Sequence, residues 1–206
     1  METVTRKTRT RLSPKKRKEQ LLQHAVEVFS VRGIGRAGHA DIAELANVSV
    51  ATVFNYFPTR EDLVDEVLKC VESEFSNIIS ECVDPENKTL RDSLEHLMSS
   101  LIDDAIAQKE WVRVWYEWST AIRDNVWNQF IMRNQPSFEL ITRMFEKGIE
   151  RGEVQSNEKP EFLAQLLQGV TYVIYLQANR HQDKDLLKAQ AGTYIEYLCN
   201  AKREMV

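Results

Sequence analysis

Gly33, Gly35 and Gly38 stand in the G-x-G-x-x-G spacing of a loop that cradles a dinucleotide pyrophosphate. In that chemistry the glycines let the backbone approach the phosphates, and the N-terminus of the following helix meets their charge. The other residues able to do chemistry are scattered. Ser13 and Lys16 form an S-x-x-K pair, but on a basic stretch without companion motifs, so it reads as a helix start. His24, His39, His96 and His181 show no H-x-x-x-H spacing, and Cys70, Cys82 and Cys199 contain no C-x-x-C pair. No metal site, no cofactor and no disulfide framework is expected, and a reducing, cytoplasmic compartment is the simplest reading. Glu61-Asp62 and Asp103-Asp104 read as helix starts and solvated faces rather than as an acid–base pair. An enzyme, specifically a NAD-type dinucleotide-binding one, therefore rests on Gly33, Gly35 and Gly38 alone.

A dinucleotide fold demands a strand before the glycines, a long helix after them and a run of βα units beyond. VEVFSV, Val26 to Val31, alternates like a strand and is the one point in its favour. The surrounding pattern is helical. Ser13-Pro14 is a helix start, with Ser as N-cap and Pro where a missing N–H is harmless. Leu22, Ala25, Val26 and Phe29 follow at helical spacing, and Gly33 stops the helix as a C-cap. A short helix fits Ala40–Ala46. Asn47 tolerates the left-handed backbone of a tight corner, and Ser49 caps a further helix running to Phe57. Pro58 ends that helix, and Thr59-x-x-Asp62 opens the next, which carries Leu63, Val67, Leu68, Val71, Phe75 and Ile78 down one side. More amphipathic segments fall near 89–108, 110–122 and 124–151, the last kinked or split at Pro136, then 160–180 and 184–202. The expected fold is all-α, and the glycines become corner residues.

Two short helices joined by a tight turn make a helix-turn-helix pattern. With Val50, Val53, Phe54 and Phe57 facing inward, Ser49, Ala51, Thr52, Asn55 and Tyr56 are left outward. Small and amide side chains suit a helix lying in the DNA major groove: Asn bonds an adenine edge with donor and acceptor together, and Ala or a Thr methyl touches thymine. Tyr56 and Arg60 are placed for phosphates. Charge points the same way. The first sixty residues carry eleven Lys/Arg against five Asp/Glu, on a chain whose overall formal charge is −4. Arg6, Lys7, Arg9 and Arg11 precede Pro14 and form a basic arm able to reach a minor groove or backbone phosphates. The expected division is 1–60, arm and DNA-binding domain, and 61–206, helical regulatory and dimerisation domain.

FLAQLLQGVTYVIYLQAN, Phe162 to Asn179, is 18 residues without a charge. Its amides Gln165, Gln168, Gln177 and Asn179 argue for a buried helix of a water-soluble protein rather than a membrane span. The polar start of the chain reads as having no signal peptide. The uncharged stretch is apolar around nearly its whole circumference, more than one core-facing side requires. Leu187, Ala191, Tyr194, Ile195 and Leu198 add a second stripe. This surplus supports dimerisation, with Leu163, Leu167, Val170, Ile174, Leu187, Tyr194, Ile195 and Leu198 as the expected interface of a homodimer. Two-fold symmetry then predicts an inverted-repeat double-stranded DNA site.

DIAELANVSVATVFNYFPTREDLVDEVL, Asp41 to Leu68, resembles the helix-turn-helix and connecting helix of TetR-family transcription regulators. Asn47 stands where the family usually has Gly, and Arg60 where a phosphate-binding Lys is common. RTRLSPKKRKEQLL, WVRVWYEWSTAIRDNVW, ERGEV and QANR extend the similarity to the vibrio quorum-sensing master regulators, the LuxR/HapR/LitR group. The resemblance implies an all-helical homodimer that activates and represses genes, with no enzymatic activity. It also implies a small-molecule cavity in the body, for an apolar ligand of unknown identity, lined by Phe75, Trp115, Phe130, Asn134, Phe138 and Thr171. Thr171 takes a place where Cys is frequent in the group. Trp111, Trp115 and Trp118, at i, i+4 and i+7, are read either as core or as that cavity's wall.

Overall fold

The computed structural model describes residues 12–122, 126–180 and 183–200, and these form nine α-helices and no strand. In order they are α1 Pro14–Arg32, α2 His39–Leu45, α3 Val50–Phe54, α4 Arg60–Cys82, α5 Leu90–Ile106, α6 Glu110–Thr120, α7 Val126–Glu150, α8 Pro160–Ala178 and α9 Lys184–Cys199. The chain divides into two compact units, Met1–Val67 and Leu68–Val206, so the division falls inside α4 rather than at residue 60.

Local signals set the ends of the first helices. Ser13 Oγ accepts from the Lys16 amide at 3.3 Å, and Pro14 occupies the first turn. At the other end Gly33 adopts φ 83°, a region open to glycine, and its N–H bonds Phe29 O at 2.9 Å. The strand-like alternation of Val26–Val31 thus lies inside α1, where Val26, Val28 and Phe29 are buried. Helical spacing overrides the two-residue period because Leu21, Ala25 and Phe29 share one inward face.

Around that face the first unit closes with Ile34, Ala37, Ile42, Ala43, Val53, Phe57 and Leu63, all nearly or wholly buried. Each large apolar side chain taken from water stabilises by about 1.5–3 kcal/mol. Two inward assignments do not hold. Helix α3 stops at Phe54 rather than Phe57, and Val50, 40% exposed, and Phe54, 46% exposed, share an i, i+4 row beside the inward row of Val53 and Phe57. The amides of Tyr56 and Phe57 both turn back to Val53 O, each at 3.0 Å. This tightened turn carries Phe57 inward beside Val53 and leaves Phe54 to the rim.

In the second unit α5 lies against α7, α8 and α9, α8 against α7 and α9, and α6 against α7. Gly148 of α7 admits a close approach: a Cβ there would sit 2.9 Å from Leu90 Cδ2. Pro136 does not split α7, which continues on both sides of it. The carbonyl that the proline cannot bond belongs to Met132, a residue on the exposed side of the helix. Among the described residues no helix is long and apolar enough to cross a membrane.

Six of the eight residues assigned to a dimer interface, Leu163, Leu167, Ile174, Leu187, Ile195 and Leu198, are buried within the subunit's own core, each 2% exposed or less. Helix α8 packs against α5, α7 and α9, which consumes that side of it. Val170 and Tyr194 are part-exposed. The outward apolar residues of α8 are a different set, Phe162, Leu166, Val173 and Leu176, with Tyr172 partly exposed beside them.

Candidate nucleic-acid interface and internal cavity

The turn between α2 and α3 is built as a corner. Asn47 takes φ 51°, the Val48 amide returns to Ala43 O at 3.0 Å, and Ser49 in extended conformation caps α3. Ser49 Oγ accepts from the Thr52 amide at 3.2 Å and pairs with Thr52 Oγ1 at 2.8 Å. The two hydroxyls therefore hold one another and fix the first turn. Ala51 and Asn55 are exposed, and Thr52 and Tyr56 partly so. Asn55 closes α3 with its backbone N–H on Ala51 O at 3.1 Å, leaving the side-chain amide at the surface with donor and acceptor both available.

Beneath this surface lies a residue that spacing did not single out. His39, 7% exposed, brings Nε2 to 2.7 Å of Phe57 O, eighteen residues on. A carbonyl can only accept, so Nε2 carries the proton in this bond. The imidazole also stacks on Phe54, with centroids 4.0 Å apart and planes 9° from parallel. One ring thus holds both ends of the segment that follows the recognition turn, and the inner face of half-exposed Phe54 is spent on it. No motif links His39 to Phe57; only folding brings them together.

Thr59 and Asp62 make reciprocal bonds at the start of α4, the Asp62 amide to Thr59 Oγ1 at 3.0 Å and the Thr59 amide to Asp62 Oδ2 at 3.1 Å. Arg60, expected on a phosphate, directs Nη2 to Ile34 O at 2.7 Å. Its exposed guanidinium keeps further donors, yet one role is internal: it pins the glycine-rich corner to α4. Lys18 pairs with Glu66 at 2.7 Å and lies 5.8 Å over the Phe57 ring. Arg9 and Arg11 of the basic arm lie outside the described residues.

The same geometry removes the dinucleotide reading. A helix, α1, precedes the glycines, and the helix after them has only seven residues. Its N-terminus is already occupied: the Gly38 amide donates to Asp41 Oδ2 at 3.0 Å, and Asp41 pairs with Arg32 at 3.1 Å. A pyrophosphate would meet a carboxylate where it needs bare N–H groups. Among the described residues no cluster of His, Cys, Asp or Glu is arranged to hold a metal ion.

Within the second unit a cavity of about 440 Å³ gathers all six residues expected to line one: Phe75, Trp115, Phe130, Asn134, Phe138 and Thr171. Aromatic packing shapes its wall. Phe75 stacks on Trp115 with centroids 3.8 Å apart, Phe130 meets Trp115 at 5.2 Å, and Trp127 stacks on Phe130 at 5.5 Å. The tryptophans divide by role. Trp118 is fully buried and donates Nε1–H to Val126 O at 2.8 Å, and Trp111 donates to Asp104 Oδ2 at 3.2 Å, so both are structural. Asp104, which Lys109 also meets at 2.7 Å, is consequently no solvated carboxylate.

Thr171 Oγ1 bonds Gln168 O at 2.9 Å within its own helix, and Thr171 O accepts from Tyr116 Oη at 3.1 Å. Burial pushes the Tyr116 hydroxyl well above the usual tyrosine range. Spacing missed Gln165 and Gln168, which also line the cavity. The signal was present as amides interrupting an apolar run, where they weigh against a membrane span; the same amides serve a wall that needs hydrogen bonds.

Comparison with known proteins fits this geometry. Residues 21–67 match the family model "Bacterial regulatory proteins, tetR family". Over 204 residues, covering 99% of both chains, the sequence is 48% identical to the HTH-type transcriptional regulator LuxR of Vibrio harveyi. The chain belongs to the TetR family. It is a DNA-binding transcription regulator, and a dinucleotide-binding enzyme finds no support. A more distant likeness is to the biofilm operon icaADBC HTH-type negative transcriptional regulator IcaR of Staphylococcus aureus, 21% identical over 63% of this chain and 70% of that one. Solved structures share the fold. A TetR regulator from Chloroflexus aurantiacus superposes with a TM-score of 0.74 at 15% identity, covering 89% of this chain and 94% of its own. FadR from Bacillus subtilis, solved with stearoyl-CoA, gives 0.70 at 17%, covering 88% and 97%.

Proposed function

We propose that this TetR-family regulator binds an inverted-repeat operator as a homodimer, works in quorum sensing, and both activates and represses its targets. The observation that carries the DNA reading is the surface of α3: an Asn55 amide beside Ala51 and Thr52, on a turn held from beneath by His39 and at its start by Ser49. Quorum sensing rests on the near-full-length similarity to LuxR. The interface we propose is the outward face of α8. Phe162, Leu166, Gly169, Val173 and Leu176 recur at alternating steps of four and three, the seam of two helices packing side by side. Gly169 meets nothing within 4 Å, leaving room for a partner backbone, and Tyr197 of α9, 71% exposed, adds an aromatic surface.

The cavity is assigned to a small ligand with an apolar body. Phe75 of α4 forms part of its wall, and α4 runs unbroken from Arg60 to Cys82, so occupancy has a covalent route towards the DNA-binding unit. Saturating ligand is expected to change operator affinity; unchanged affinity would remove this coupling. Hydroxyl-radical footprinting on a selected duplex tests the dimer reading. Two protected patches related by two-fold symmetry, about one helical turn or 34 Å apart, are expected. Leu166→Arg should abolish the second patch and give monomers in sedimentation. A single patch with wild-type protein would overturn the proposal.

A further inference from the structure

We infer that the cavity of the second unit selects an uncharged ligand, one with an aromatic or apolar body and a neutral hydrogen-bonding group such as an amide. The inference rests on the ligand reading above and narrows its chemical class. Every polar group that the described residues bring to the wall is neutral. Asn134, Gln165 and Gln168 supply amides, Gln135 a fourth that already donates to Glu139 at 2.8 Å, and Ser119 and Thr120 supply hydroxyls whose protons are bonded to Tyr116 O. Amides present donors and acceptors together, which matches a neutral group that also has both.

The wall's titratable members among the described residues are Tyr116 and Tyr172. Tyr116 stays protonated, because burial opposes its ionisation. Asn134, Gln168 and Thr171 also border a smaller recess that continues the cavity between Ile79, Leu97 and Ile141. That recess holds only about 30 Å³, room for a methyl-sized group, so the ligand body lies in the larger cavity against Phe75, Trp115 and Phe130. A carboxylate or phosphate beside the amides would exchange part of its hydration for neutral groups, with no compensating cation from the described wall. Burying a charge without a counter-charge is costly.

The test uses the full chain and a pair of probes that differ in charge but little in shape, biphenyl-4-carboxamide and biphenyl-4-carboxylate. Quenching of tryptophan fluorescence reports binding, since Trp115 and Trp127 stand in the wall, and thermal unfolding confirms it. For wild type at neutral pH the carboxamide is expected to bind at least about tenfold more tightly than the carboxylate. Gln168→Lys should reverse the order by supplying the missing cation, while Gln168→Leu should weaken the carboxamide without helping the carboxylate. A carboxylate that binds wild type as tightly as the carboxamide overturns the uncharged class and leaves the ligand cavity standing. If neither probe quenches or stabilises wild type, the ligand reading itself fails.

Discussion

The two compact units use their helices in opposite ways. The first places a five-residue helix at the surface and holds it from outside its own length: a serine cap before it, a histidine beneath it, an arginine from α4 on the corner before α2. The second uses helices of up to 25 residues and leaves space among them, a cavity of about 440 Å³ walled by stacked aromatics. A reading surface must be rigid where it is thin; a receptor must be stable where it is hollow. Both units stand on packed apolar cores, but the reading surface of the first is held in place by single hydrogen bonds.

That contrast can be broken by substitution. The largest effect is expected at Phe57, fully buried in the first unit: Phe57→Ala should cost about 3–5 kcal/mol in denaturant unfolding. Phe54→Ala, at a half-exposed position, should cost only about 1 kcal/mol, the worth of its stack on His39. Equal losses would mean that Phe54 packs inward after all. Next comes Gly148→Ala in the second unit, where the new methyl meets Leu90 and overpacking should cost about 1–3 kcal/mol. A neutral or stabilising result would show that α5 and α7 can separate freely.

Ser49→Ala sharpens the first half of the contrast. Loss of one cap should lower stability by about 1 kcal/mol while weakening DNA binding, since the same hydroxyl orders the turn that presents Thr52. Unaltered DNA affinity would separate the cap from recognition. The smallest effect concerns pH. Burial holds the Tyr116 hydroxyl above its ordinary value of 10.0, so above about pH 10 the unfolded chain loses a proton that the folded one keeps. Stability should fall as pH rises through that range, and Tyr116→Phe should flatten the fall. A profile identical in the two proteins would mean that Tyr116 reaches solvent.

Much of this was legible because it is local. The caps at Ser13 and Ser49, the corner at Asn47, the reciprocal Thr59–Asp62 start and the stop at Gly33 each depend on neighbours within four residues. Periodicity likewise separates α5 through α9. What stayed hidden depends on contacts far apart in sequence. His39 reaches Phe57 across eighteen residues, and Arg60 reaches Ile34 across twenty-six. The apolar circumference of α8 showed more apolar surface than one face needs but not which residues the subunit's core takes. Leu163, Leu167 and Ile174 go to the subunit's own core, and Phe162, Leu166 and Val173 are left outward. At Val50 and Phe54 four apolar residues were read as one face, whereas i, i+4 spacing puts this pair on a row beside that of Val53 and Phe57.

The central claim is that α3 reads bases. Selection of duplexes from a random library, at near-physiological salt, with wild type and Asn55→Ala tests it most directly, because phosphate contacts alone cannot enrich a sequence. Wild type should enrich an inverted repeat, and Asn55→Ala should lose about 1–3 kcal/mol of discrimination at one base pair of each half-site. Enrichment of the same repeat with the same preference by both proteins would contradict the assignment of Asn55 to the bases. Enrichment of nothing by wild type would contradict the reading surface itself.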